Sequence, residues 1–103
     1  MNLNVEVLEA AERDLFDAVR WYEENASRGA ELEAAVGALV DRLASVPGSS
    51  SPVAGVVVAR GELRRALVPG FPYWLVFLVL DQRLVTVALA HQSREPTFWV
   101  SRL

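Results

Sequence analysis

This 103-residue chain contains no cysteine and no lysine, and only one histidine. The lack of cysteine excludes a disulfide framework and thiolate metal sites, and it fits a reducing, cytoplasmic setting. Without lysine, arginine is the only permanent side-chain cation, so any surface chemistry falls to arginines, His91, hydroxyls and carboxylates. A lone histidine supplies too few ligands for a structural zinc. There is no glycine-rich phosphate loop, since Gly48, Gly55 and Gly61 are scattered through turn-forming sequence. Neither a metal nor a cofactor is therefore expected. The longest apolar run, Phe71 to Leu80, is interrupted by Pro72 and falls far short of the ~20 residues a membrane helix needs. The first ten residues carry Glu6 and Glu9 and no basic residue, so no secretory signal is expected.

Hydrophobic residues make up 52% of the chain, enough to build one core. This argues for a single domain over 1–103 and against disorder. The net charge of −3 is unevenly spread. Residues 1–43 hold ten acids against four arginines, and residues 44–103 hold three acids against six arginines. The chain as a whole is not the basic object expected of a general nucleic-acid binder.

Hydrophobic period divides the chain into elements. Asn4 to Leu8 reads as a short strand. Ala11, Leu15, Ala18, Val19 and Tyr22 then form one face of a helix spanning about 10–25, with Glu9 and Glu12 at its positive end. Asn25 to Gly29 joins it to a second helix, about 29–46, whose stripe is Leu32, Val36, Leu39, Leu43 and Val46. These two helices predict an αα-hairpin. Pro47 to Pro52 is a loop. Val53–Val58, Leu63–Val68, Tyr73–Leu80 and Leu84–Ala90 read as strands, with a type II turn at Pro69-Gly70. A short helix is predicted from Pro96 to Arg102. The order β-α-α-β-β-β(-β)-α predicts an α+β fold: a mostly antiparallel sheet with the hairpin on one face.

Tyr73–Leu80 is apolar on both faces, and Leu84–Ala90 nearly so. A sheet covered on one face only should alternate apolar and polar. The second face therefore needs a cover: the C-terminal helix with Phe98 and Trp99 is expected to supply some of it and a protein partner the rest.

Chemistry-bearing residues gather toward the C-terminus. Arg64, Arg65, Tyr73, His91 and Arg94 fall on strands or at their ends. Cleaving RNA by 2′-hydroxyl attack needs a base, an acid and fixed positive charge at the phosphorane-like transition state. His91 suits the proton transfers and Arg65 or Arg94 the charge, giving Arg65, His91 and Arg94 as candidate catalytic residues. Arg64, Tyr73 and Trp99 are candidates for the surrounding functional surface. Arg64 and Arg65 point to opposite faces of a strand, so only one of them can join the site. His91 as a strand-end hydrogen-bonding group is the competing structural reading.

The pattern resembles the RelE/ParE superfamily of bacterial type II toxin–antitoxin toxins. The residues carrying the resemblance are Ala11, Leu15, Ala18 and Trp21-Tyr22-Glu23, the Leu39–Leu43 stripe ending at Pro47, Arg64-Arg65, Phe71-Pro72-Tyr73, and His91-Gln92-Ser93-Arg94-Glu95-Pro96 with Trp99 and Arg102-Leu103. The resemblance implies a small α+β toxin in a hetero-oligomeric complex with a cognate antitoxin, of the kind associated with plasmid stabilisation and growth inhibition. ParE-like members inhibit DNA gyrase, and RelE-like members are ribosome-dependent mRNA endoribonucleases with basic sites. The missing lysine and the net acidity favour the ParE-like side, because work inside a ribosome calls for many phosphate contacts. A member that is not toxic and only binds its antitoxin is the third alternative.

Overall fold

The computed structural model describes residues 2–103. Strand β1 (Asn4–Val7) leads into helix α1 (Glu9–Ala26). No side chain caps α1; Glu9 and Glu12 in its first turn offset the helix dipole instead. The helix ends at Ser27 in the left-handed region (φ 52°), where the Ser27 and Arg28 N–H groups donate to the Glu23 and Tyr22 carbonyls. Helix α2 (Gly29–Ser45) returns antiparallel. A Cβ on Gly29 would lie 2.8 Å from the Val19 carbonyl oxygen, so glycine permits the close approach of the two helices there.

Five strands form one sheet in the order β1-β5-β4-β3-β2, where β2 is Ser51–Pro52, β3 Glu62–Leu67, β4 Tyr73–Leu80 and β5 Arg83–His91. β1 runs parallel to β5, and all other pairs are antiparallel. Gly70, at φ 82°, completes the expected type II turn between β3 and β4, with Phe71 N–H donating to the Val68 carbonyl. The α+β architecture with an N-terminal αα-hairpin on one sheet face is thus as the periodicity predicts.

The first core lies between hairpin and sheet. Leu32, Val36, Leu39 and Leu43 pack on Leu75, Phe77, Leu84 and Leu89. Each such side chain contributes roughly 1.5–3 kcal/mol by leaving water. A second core covers the other face, where Leu63, Val76, Val87 and Ala88 meet Trp99, with Val53, Val56, Val58 and Phe98 packed around them.

Three expectations need correction here. Val53–Val58 is not a strand: pairing stops after Ser51–Pro52, apart from one bond from Val53 N–H to the Leu63 carbonyl. A turn at Ala54-Gly55 then takes the chain off the sheet edge, and Val53, Val56 and Val58 pack partly on the second face while Val57 stays exposed. This loop and the C-terminal tail, rather than a partner, supply much of the cover of that face, and Trp74 and Leu78 stay partly exposed. The tail itself is not a full helix from Pro96. It runs as turns from Pro96 and ends in a single 3₁₀ turn, Val100–Arg102. Arg102 holds it by a bidentate contact with Asp14 of α1 (2.6 and 3.1 Å) and a bond to the Val87 carbonyl.

One irregularity controls side-chain direction. The β4–β5 register passes from Phe77↔Thr86 to Val76↔Ala88, which leaves Val87 as an extra residue in a β-bulge. Val87 and Ala88 both join the second-face core, so alternation along β5 reverses beyond the bulge. Leu89 and His91 consequently share the helix face, although an unbroken strand would turn them away from it.

Candidate functional site

The C-terminal end of β5 and the segment after it form a ridge between two hollows. On the second face lies a cleft of about 340 Å³, lined by Arg65, Trp74, His91, Arg94 and Trp99, with Val53 and Val56 as an apolar wall. On the helix face His91 and Arg94 border shallower hollows with Trp21, Tyr22, Tyr73 and Asp17. His91 and Arg94 belong to both sides because they sit where the sheet ends.

Strand register separates the two adjacent arginines. Arg65 pairs with Val76 and shares its face, whereas Arg64 pairs with Phe77 on the helix side. Arg64 is consumed by structure: its guanidinium bonds the Ser50 hydroxyl (2.7 Å) and carbonyl and pairs with Glu62. It anchors the loop after α2 and takes no part in the cleft. Arg65 is the one that reaches the site. Its guanidinium carbon lies 4.0 Å from the Trp74 ring centroid, and that of Arg94 lies 3.8 Å from the Phe98 centroid. Neither has a carboxylate partner among the described residues. Each guanidinium lies over an aromatic ring, and its N–H groups are not engaged by a carboxylate among the described residues.

His91 stands at the end of an aromatic series. Its ring meets Tyr73 edge-on at 5.1 Å, and Tyr73 meets Tyr22, which contacts Phe71. Burial, and then the neighbouring Tyr22, push the Tyr73 phenol above its ordinary pKa of 10.0. Tyr73 is therefore a neutral hydrogen-bonding group and not a phenolate base. The Ser93 N–H donates to His91 Nδ1 (3.0 Å), and Ser93 Oγ lies 2.7 Å from the same nitrogen. An Nδ1 that accepts from an N–H carries no proton in the neutral ring, so the proton sits on Nε2. A general base working through Nε2 needs the opposite arrangement, with Nδ1–H donated to a carboxylate or carbonyl.

Of the sequence-level candidates, His91 and Arg94 come together, Arg65 faces them from one side of the sheet and Tyr73 from the other. Trp99, 3% exposed, forms part of the cleft wall and is mainly a core residue. The Asp14–Arg102 pair escaped the sequence reading. Its signal was Asp14 standing on the apolar stripe of α1, three residues after Ala11 and four before Ala18, where an acid needs a partner. Trp21 also went unassigned to the site. It is 55% exposed and lines the hollows on the helix face.

A family model described as ParE toxin of type II toxin-antitoxin system, parDE, matches residues 5–96. No curated protein matches. Among solved structures, one from the chromosomal ParDE TA system from P. aeruginosa superposes with a TM-score of 0.71 at 13% sequence identity, over 86% of this chain and 95% of that one. At that identity the likeness speaks for the fold alone.

Proposed function

We propose that this chain, which belongs to the ParE toxin family of type II toxin–antitoxin systems, arrests growth by binding a protein target, DNA gyrase, and is neutralised by a cognate antitoxin. The observation that carries a binding mechanism over a cleaving one is the state of His91. Its Nδ1 faces an N–H donor, which leaves Nε2 protonated and unable to take a proton from an attacking hydroxyl. His91 and the stacked Arg65 and Arg94 line one cleft, so what speaks against cleavage is the lack of a proton acceptor at Nε2 and not a separation of these groups. The same arginines serve recognition well. Arg65 and Arg94, without carboxylate partners among the described residues, present cationic edges in a cleft with Trp74 and Trp99, a combination that suits contact with acidic side chains of a partner.

The test is to induce the chain without antitoxin and follow growth, RNA 5′ ends and a DNA-damage reporter in one culture. Growth arrest with reporter induction and no new RNA ends is the expected result, and His91→Ala should still arrest growth. New ends concentrated within translated frames would overturn the proposal in favour of the endoribonuclease. Unimpaired growth would overturn it in favour of a member that only binds its antitoxin.

A further inference from the structure

The cleft on the second sheet face carries a recognition pattern narrower than positive charge alone. Seven of the ten arginines pair with a carboxylate, and Arg42, Arg65 and Arg94 do not among the described residues. Arg42 is exposed on α2, whereas Arg65 and Arg94 both line the cleft. Arg65 is half-buried over the Trp74 ring. A guanidinium in that position can fork a carboxylate through two parallel N–H bonds, and partial exclusion of water strengthens the contact.

The charge balance of the cleft narrows the occupant. One acid, Glu95, also lines it, and its carboxylate accepts bonds from the Thr97 hydroxyl and N–H. His91 carries its proton on Nε2 and enters as a neutral group. Arg65 and Arg94 against Glu95 leave one net positive charge, the complement of a single carboxylate. Beside the cations stand Val53, Val56 and Trp74, all half-buried, which an apolar neighbour of that carboxylate would cover. At about 340 Å³ the cleft lies near the lower edge of the roughly 300–1,000 Å³ of small-molecule pockets, a size that suits a pair of adjacent side chains. A nucleic acid fits less well. It brings a charge with every nucleotide, which one net positive charge on a chain of net charge −3 does not match.

We propose that this cleft seats one acidic residue of the protein target between Arg65 and Arg94, with an adjacent apolar side chain of the same segment packed on Val53, Val56 and Trp74. This rests on the protein-target reading given above and adds the chemistry of the segment recognised. The cleft is the energetic centre of the contact and not its whole extent. A stable interface takes roughly 800 Å² from each partner, and its binding energy concentrates in a few pocketed aromatic and arginine contacts. Arginine matters here for its planar fork as well as its charge, which lysine would supply alone.

Capped Leu-Glu and Glu-Leu dipeptides provide the probe, titrated into the full chain while the tryptophan indole resonances are followed by proton–nitrogen correlation NMR. Saturable shifts at Trp74 and Trp99 are expected with at least one of the dipeptides, and Trp21, which lines the hollows on the other face, should stay unmoved. Replacing Glu by Gln in the probe should weaken binding by roughly fivefold or more. Arg65→Gln and the exposed change Arg94→Gln should each do the same, and Arg42→Gln should leave binding within about twofold. The Arg94 variant guards against a folding defect in Arg65→Gln. Inorganic phosphate and a dinucleotide should bind more weakly than the acidic dipeptide. Absence of saturable shifts, indifference to the loss of the carboxylate, or an equal effect of Arg42→Gln would each overturn the proposal, and tighter binding of the dinucleotide would overturn it in favour of a nucleic-acid ligand. Growth assays of Arg65→Gln/Arg94→Gln separate the two readings. Arrest with the DNA-damage signal that survives this double change refutes the cleft and spares gyrase. Dipeptide binding, with arrest that this change abolishes but no DNA-damage signal, spares the cleft and refutes gyrase.

Discussion

The Asp14–Arg102 pair should be the most sensitive polar contact in the molecule. It joins α1 to the last residues of the tail, 88 positions apart in sequence. The two side chains are 14% and 19% exposed. Asp14 accepts two guanidinium bonds and also the Leu89 N–H (3.1 Å), beside the bulge, while Arg102 donates to the bulge carbonyl of Val87 (3.0 Å). Asp14→Ala would leave a largely buried guanidinium without a counterion and an amide without an acceptor. Removing one partner of a buried pair costs about 3–5 kcal/mol, and the residual exposure here places the expected loss near the lower end, about 3 kcal/mol. In a domain of this size each kcal/mol moves the melting temperature by roughly 4–8 °C, so a fall of roughly 15 °C is expected. Arg102→Met should cost a similar amount. The double variant Asp14→Leu/Arg102→Met removes both charges together and should cost less than the sum of the singles by about 2 kcal/mol. Urea denaturation followed by tryptophan fluorescence measures all three, and Trp99, buried three residues before Arg102, reports release of the tail. A loss below about 1 kcal/mol for Asp14→Ala, or strict additivity in the double variant, would refute the reasoning.

Two further outcomes follow from local geometry. Gly37→Ala should stabilise the chain by about 0.5–1 kcal/mol through helix propensity, because the added methyl enters open space. Gly29→Ala should instead destabilise it by about 1–3 kcal/mol, since its methyl would meet the Val19 carbonyl oxygen at 2.8 Å and push the helices apart; thermal melts distinguish the two signs. Tyr73 is favoured as the neutral phenol in the folded state, so its contribution is fully present below pH 10.0 and is lost as pH rises through the folded pKa. Denaturation midpoints measured across that range should fall for the parent chain and fall less steeply for Tyr73→Phe.

Much of the architecture was determined by the sequence itself. The 3.6-residue stripes Ala11–Tyr22 and Leu32–Leu43 define the hairpin, since apolar side chains at that spacing can share one buried face only in a helix. The Pro69-Gly70 turn and the two long apolar strands define the centre of the sheet, and their lack of alternation correctly implies that both faces are covered. What covers the second face was a tertiary matter. Val53–Val58 has strand composition, but its chain leaves the sheet edge at Ala54-Gly55, so Val53, Val56 and Val58 pack partly against the second-face core and Val57 is left in water. Tertiary structure also decided the site. Arg65 and not Arg64 reaches the cleft because of where β3 pairs with β4. His91 faces Tyr73 because one unpaired residue, Val87, reverses the alternation of β5. No residue-by-residue pattern announces such a bulge: it arises where Arg102 and Asp14, from the far end of the chain and from α1, satisfy the backbone groups of Val87 and Leu89 that β1 is too short to reach. The sequence by itself named the chemical groups and the frame that carries them. Which of those groups meet was set by register and by contacts across 75 to 88 residues, which local spacing does not encode.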